Sequence, residues 1–135
     1  MKWLLVLLLS LSGIAVGYFT LLHISLRMEQ LLWLLVFLTN GFIISRFAEE
    51  KHFANGFMVG WLACIISMVV HLLFYSRYLS NHPEIVLVNS KLEPGFDPRK
   101  AFVIIELTKS FFYSLSGGIF AMMINAGVKK FYENR

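Results

Sequence analysis

The chain has 135 residues, a formal net charge of +4, 58% hydrophobic residues and only 15% charged residues. Because soluble domains carry roughly a quarter charged residues, this composition excludes an ordinary soluble domain and indicates a membrane protein with the lipid bilayer as its surroundings. The twelve Lys and Arg residues are dispersed rather than gathered in a basic stripe, which argues against nucleic-acid binding and favours positions beside lipid headgroups.

The first apolar run extends from Trp3 to Ile24. A helix of that length reaches ~33 Å, which is enough to cross a hydrocarbon core of ~30 Å. A secretory signal peptide is the alternative, since Lys2 supplies a basic start and small residues precede a plausible cleavage point at Ala15. The apolar sequence continues beyond Ala15, which favours a spanning helix.

The second and third apolar runs cover Leu31 to Phe47 and Gly56 to Tyr78. The second is short for a transmembrane helix, near the lower limit of about 17 residues. The third is longer and ends in aromatic and basic residues, which are typical of the membrane interface. Both are predicted to span the membrane.

The fourth apolar run, Ala101 to about Ala126, follows a polar segment over residues 79–100 that contains all three prolines. Pro83 is a plausible start for a short surface helix, and Asp97-Pro98 is a typical helix start. The sequence therefore predicts a single-domain all-α membrane protein: a bundle of four transmembrane helices with a short interfacial loop between helices 3 and 4.

The basic residues beside the spans give a weak prediction of orientation. The side that holds both termini carries six of them: Lys2, Arg46, Lys51, Lys129, Lys130 and Arg135. The other side carries five: Arg27, Arg77, Lys91, Arg99 and Lys100. We therefore expect a multi-pass protein of the cell membrane with both termini in the cytoplasm.

Polar residues inside apolar runs are the main candidates for function, because an unpartnered polar group is costly in hydrocarbon. The candidates are Asn40, His71, Glu106, Lys109 and Asn125. Hydrogen bonds between helices explain the two asparagines, and an ion pair across one helical turn explains Glu106 and Lys109. Alternatively, Glu106 faces His71 across the bundle, where the two groups are able to carry protons.

Small residues at a spacing of four form candidate helix-packing faces. They are Gly13 and Gly17 in the first span, Gly56 and Gly60 in the third, and Ser114 and Gly118 in the fourth. Packing within one chain is the simpler interpretation, and homo-oligomerisation through one of these faces is the alternative.

The sequence contains no familiar catalytic, nucleotide-binding or zinc-binding motif, so we predict a protein that is not an enzyme and holds no cofactor or metal. Glu49-x-x-His52 matches half of a carboxylate-bridged metal motif, but the motif needs a second copy that the chain lacks. The single Cys64 has no intramolecular disulfide partner and is interpreted as a packing residue.

Three stretches carry a resemblance to a known family: FANGFMVGWLACIISMV, the Asn-His-Pro-Glu segment after it, and SLSGGIFAMMINAGVKK. With them the chain resembles a family of small uncharacterised bacterial four-span membrane proteins, a domain of unknown function. The resemblance implies the four-span architecture and a bacterial inner membrane, and it transfers no functional residue. Small multidrug-resistance transporters have a similar length, but they need a carboxylate in the first helix, which residues 3–22 lack.

Three functional hypotheses follow. The first is a non-enzymatic accessory component that binds itself or a larger membrane-protein partner. The second is a small oligomeric transporter or channel, with Asn40, His71, Glu106 and Asn125 along a polar path. The third, a membrane enzyme acting near His71 and Glu106, has the least support.

Overall fold

The computed structural model describes residues 1–22 and 26–133, and of Leu26 the backbone alone. Within these residues the chain is helical and has no strand. The helices are α1 (Trp3–Ser10), α2 (Ser12–Thr20), α3 (Leu26–Phe47), α4 (His52–Leu73), α5 (Tyr75–Asn81), α6 (Pro83–Asn89) and α7 (Pro98–Glu133).

Four helical stretches are long and apolar enough to cross a membrane: Trp3–Thr20, Arg27–Phe47, His52–Leu73 and Pro98–Glu133. The first combines α1 and α2, which are separated by Leu11 alone. The prediction of an all-helical chain with four such helices is therefore confirmed.

Helix α4 lies at the centre of the packing, against α7 on one side and against α1 and α2 on another. Helix α7 also packs along α3. The α3–α7 pair is parallel, because Trp33 lies beside Tyr113 and Gly41 lies beside Ala121. The molecule thus has two ends, which we call the Lys2 end, with Lys2 and Lys51, and the α5–α6 end, with His71.

The six small residues predicted to form packing faces each lie against another helix of the same chain: Gly13 and Gly17 of α2 against α4, Gly56 and Gly60 of α4 against α7, and Ser114 and Gly118 of α7 against α4. A Cβ added to Gly56 would lie 2.5 Å from the carbonyl oxygen of Gly117. These residues therefore set how closely the backbones approach.

Helix boundaries differ from the predicted spans in α3, α4 and α7. Helix α7 runs from Pro98 to Glu133 rather than from Ala101 to about Ala126. Helix α4 begins four residues early at His52 and ends at Leu73, because the backbone of Phe74 leaves the helical region. Helix α3 begins at Leu26 rather than at residue 31, so its first turns include charged residues. The predicted end of the first span, Ile24, lies outside the described residues, as does Arg135.

The segment predicted as a loop over residues 79–100 is partly helical. Pro83 begins α6, and the side-chain oxygen of Asp97 accepts a hydrogen bond of 2.9 Å from the backbone N–H of Arg99 at the start of α7. Helices α5 and α6 fold over the ends of α2, α4 and α7, and Tyr75 and Tyr78 are buried there. This fold closes the α5–α6 end of the molecule.

Candidate functional site

A cavity lined by charged and polar side chains lies between α3, α4 and α7 near the α5–α6 end. We call it the charged cavity, and its lining residues are Glu29, Trp33, Cys64, Ser67, His71, Glu106, Lys109, Ser110 and Tyr113. The volume within which the centre of a water molecule can move is about 10 Å³. The cavity therefore has room for about one water molecule.

Helical periodicity brings these residues to one place. On α3, Glu29 shares a buried stripe with Trp33 and Phe37, each four residues further along the chain. On α7, Glu106 and Tyr113 are seven residues apart, about two turns, and therefore project from the same face. The aromatic rings of Trp33 and Tyr113, with centroids 5.6 Å apart, form the wall of the cavity between α3 and α7.

The charged groups of the cavity are not balanced. Lys109 Nζ lies 2.7 Å from Glu106 Oε1, so these two side chains form an ion pair one turn apart on α7. Glu29, only 9% exposed, brings a second carboxylate from α3. Counted at formal charges, two carboxylates and one ammonium give the cavity a net charge of −1.

His71 adds a buried imidazole to the cavity and is 2% exposed. Its Nε2 lies 2.5 Å from Thr20 Oγ1, which itself lies 2.8 Å from the carbonyl oxygen of Val16. Because the single hydroxyl proton satisfies the carbonyl, Thr20 accepts a hydrogen bond from Nε2–H. This tautomer leaves Nδ1 as a buried acceptor, for which the described residues supply no donor.

A stack of three rings connects the cavity to the covering helices. Tyr78 lies between His71 and His82, with ring centroids 4.2 Å from each. His82 Nδ1 donates to the carbonyl oxygen of Tyr78 at 2.9 Å, and Nε2 finds no partner among the described residues. Burial raises the pKa of the Tyr78 phenol, so this ring stays neutral at physiological pH.

The structure brings together three of the five polar residues predicted to be functional. His71, Glu106 and Lys109 line the charged cavity. Asn40 lies elsewhere, with its Nδ2 3.4 Å from Ser12 Oγ, between α3 and α2. Asn125 lies on α7 sixteen residues beyond Lys109, a distance of ~24 Å along the helix.

Sequence reasoning did not identify Glu29 as a site residue. It lies two residues before the second apolar run, which was predicted to begin at Leu31. A signal was present, since Glu29 precedes Trp33 and Phe37 at intervals of four and so shares their helix face. Extending the helical pattern of the aromatic residues by one turn would have included it.

No group of three or more His, Cys, Asp or Glu side chains is close enough to hold a metal ion within residues 1–22 and 26–133. The half-motif Glu49-x-x-His52 lies at the Lys2 end, where Glu49 Oε1 is 2.9 Å from Lys2 Nζ. A hydrogen bond from the Lys2 ammonium, together with its charge, lowers the pKa of the Glu49 carboxyl.

Comparison with family models, curated proteins and solved structures finds no match to this chain. The functional argument therefore depends on the residues and their geometry.

Proposed function

We propose that this chain is an integral membrane protein whose four long helices cross the bilayer as a bundle. Large apolar side chains cover its outer surface along the whole length of these helices, which supports the proposal: Leu4, Leu35, Leu73, Phe112 and Met123 are each more than 60% exposed. Water would make such a surface prone to association, whereas lipid covers it without cost. Resistance of the membrane-bound protein to extraction by alkaline carbonate is the test.

The proposed orientation has both termini in the cytoplasm of a cell-membrane protein. Four crossings return the chain to its starting side, and the Lys2 end carries a small excess of basic residues. Fusions of alkaline phosphatase and of green fluorescent protein at each terminus test this orientation. Fluorescence without phosphatase activity at both termini is expected, and the reverse pattern would contradict it.

Within the membrane, we propose a non-enzymatic accessory role, in which the protein associates with a second copy or with a larger membrane protein. One observation carries the proposal: two pairs of polar side chains at membrane depth lie within hydrogen-bonding distance across helices of the same chain. Asn40 lies within hydrogen-bonding distance of Ser12, and Thr20 of His71. Pairs of this kind hold helices together, which is a structural role.

Association must use surfaces other than the small-residue faces, because those faces already pack against helices of the same chain. Crosslinking of the full chain in native membranes tests the proposal. Adducts larger than the monomer are expected. Two kinds of crosslinker should be used, one that reacts with lysine and one that reacts with groups inside the membrane. Detection of the monomer alone with both would contradict the proposal.

A small transporter is the second candidate function. It is favoured by the charged cavity, in which His71 and Glu106 line a common space. It is weakened by Asn40 and Asn125, which were predicted to lie on the same path and do not line that cavity. Uptake into liposomes that depends on Glu106 would support transport over an accessory role.

A further inference from the structure

A groove on the outer surface adjoins the charged cavity. It lies between α3 and α7, has a volume of about 250 Å³, and we call it the outer groove. Its lining residues are Gln30, Trp33, Leu34, Phe37, Tyr113, Ser116 and Phe120. Five of these seven residues are apolar or aromatic, and the groove is open to the surface that faces lipid in the proposed bundle.

Trp33 and Tyr113 line both spaces. The charged cavity and the outer groove therefore adjoin at these two rings. A molecule at their junction would have the apolar side chains of the groove on one side and the charged groups of the cavity on the other. This arrangement fits an amphiphile with a small polar head.

The charge of the cavity determines which head fits. Its formal charge of −1 would be balanced by one further positive charge, because Lys109 neutralises only one of the two carboxylates. The buried Nδ1 of His71 requires a hydrogen-bond donor. A primary ammonium group supplies both, and it is about the size of the single water that the cavity has room for.

The aromatic wall favours the same chemistry. The faces of Trp and Tyr rings attract cations, and this attraction strengthens where water is excluded. An anionic head would meet two carboxylates, and an alcohol would leave the excess negative charge unbalanced. Neither satisfies the cavity as an ammonium does.

We propose that the charged cavity and the outer groove together bind a membrane-soluble primary amine, with its ammonium group beside Glu29 and its apolar chain along Leu34 and Phe120. The groove extends over eight residues of α3, from Gln30 to Phe37, a rise of ~10 Å, which suits a chain of medium length. The inference depends on the proposed membrane insertion and is independent of the accessory role.

The test uses the full chain in lipid nanodiscs with Trp3→Phe and Trp61→Phe, so that Trp33 is the only tryptophan. Decylamine with a bromine on its chain is the probe, because bromine quenches a nearby indole. Decanol and decanoate with the same bromine are matched probes for a neutral and an anionic head. We expect the amine to bind roughly ten- to a hundredfold more tightly than the alcohol, the range for a hydrogen-bonded charge.

Glu29→Gln tests the assigned carboxylate and should weaken amine binding roughly tenfold or more while leaving alcohol binding unchanged. Glu84→Gln, on exposed α6, is the matched control and should stay within about twofold of the parent protein. If Glu29→Gln does not fold, the selectivity of the parent protein among the three probes still decides the matter.

Equal quenching by amine and alcohol would overturn the proposal, as would preferential quenching by decanoate or an unchanged amine affinity in a folded Glu29→Gln variant. Failure of membrane insertion is a separate result, because it appears as release of the protein by alkaline carbonate before any probe is added.

Discussion

Helices α4 and α7 pack against each other at two levels that differ in side-chain size. Toward the Lys2 end, Gly56 meets Gly117 and Gly60 meets Ser114, so the two backbones are nearly in contact. Toward the α5–α6 end, larger and charged side chains lie between the helices and leave the charged cavity. One helix pair is thus divided into a close-packed half, where glycine and serine meet, and a half that contains polar space beside larger and charged side chains.

The largest expected effect is in the close-packed half. In Gly56→Leu, the added Cβ would lie 2.5 Å from the Gly117 oxygen and 2.7 Å from Ala121 Cβ, so α4 and α7 must separate. We expect a loss of about 3 kcal/mol or more in the free energy of unfolding. Denaturation of the purified protein in mixed micelles, followed by helix content, measures it.

Gly127→Leu is the matched control, because among the described residues no heavy atom outside the adjacent backbone of its own helix lies within 4 Å of the Cβ that would be added there. It should unfold like the parent protein. If Gly56→Leu and Gly127→Leu lower the free energy of unfolding by the same amount, the effect at Gly56 does not come from the close approach of α4 and α7.

In the polar half, Glu106→Gln should have the next largest effect. It removes the carboxylate 2.7 Å from the Lys109 ammonium, in a site that is only partly exposed, and leaves Glu29 as the one carboxylate that lines the cavity. We expect a loss of about 2 kcal/mol, between the values for exposed and fully buried pairs. Glu133→Gln, from an exposed pair 3.7 Å long, is the control and should change little. If Glu106→Gln and Glu133→Gln lower the free energy of unfolding equally, burial does not strengthen the pair of Glu106 with Lys109.

Thr20→Val removes the hydroxyl that accepts from His71 and keeps the size of the side chain. The buried Nε2–H would then lose its partner, at a cost of about 1 kcal/mol. Thr108→Val removes an exposed hydroxyl that donates to the carbonyl oxygen of Ile104 and should have almost no effect. The midpoint of unfolding in urea or detergent measures both effects. If Thr108→Val shifts this midpoint as much as Thr20→Val does, the effect comes from valine in general and not from the bond to His71.

The two halves were not equally predictable from sequence. The four apolar helices follow from composition, and the close-packed half from glycines spaced four apart, since both are local properties of the chain. The beginning of α7 was also predictable from sequence, because Asp97 and Pro98 favour a helix start through local interactions.

The charged cavity required information that spacing does not carry. Glu29, His71 and Glu106 are far apart in sequence, and whether they meet depends on the rotation of three helices. The residues that close the α5–α6 end were also hidden, because Phe74 ends α4 in an apolar stretch that hydropathy assigned to one span. Tertiary packing decided both features.

The smallest expected effect lies outside both halves, in the contact of Lys2 with Glu49. Because the folded-state pKa of Glu49 is below its ordinary value of 4.5, the ionised carboxylate stabilises the folded protein at higher pH. That stabilisation is fully present above about pH 4.5 and is lost as the pH falls through the lowered pKa. Glu49→Gln should therefore be slightly less stable than the parent protein at neutral pH and equally stable in strong acid. The neighbouring exposed Glu50→Gln is the control, and a deficit of Glu49→Gln that persists in acid would show that the ionised carboxylate is not its source.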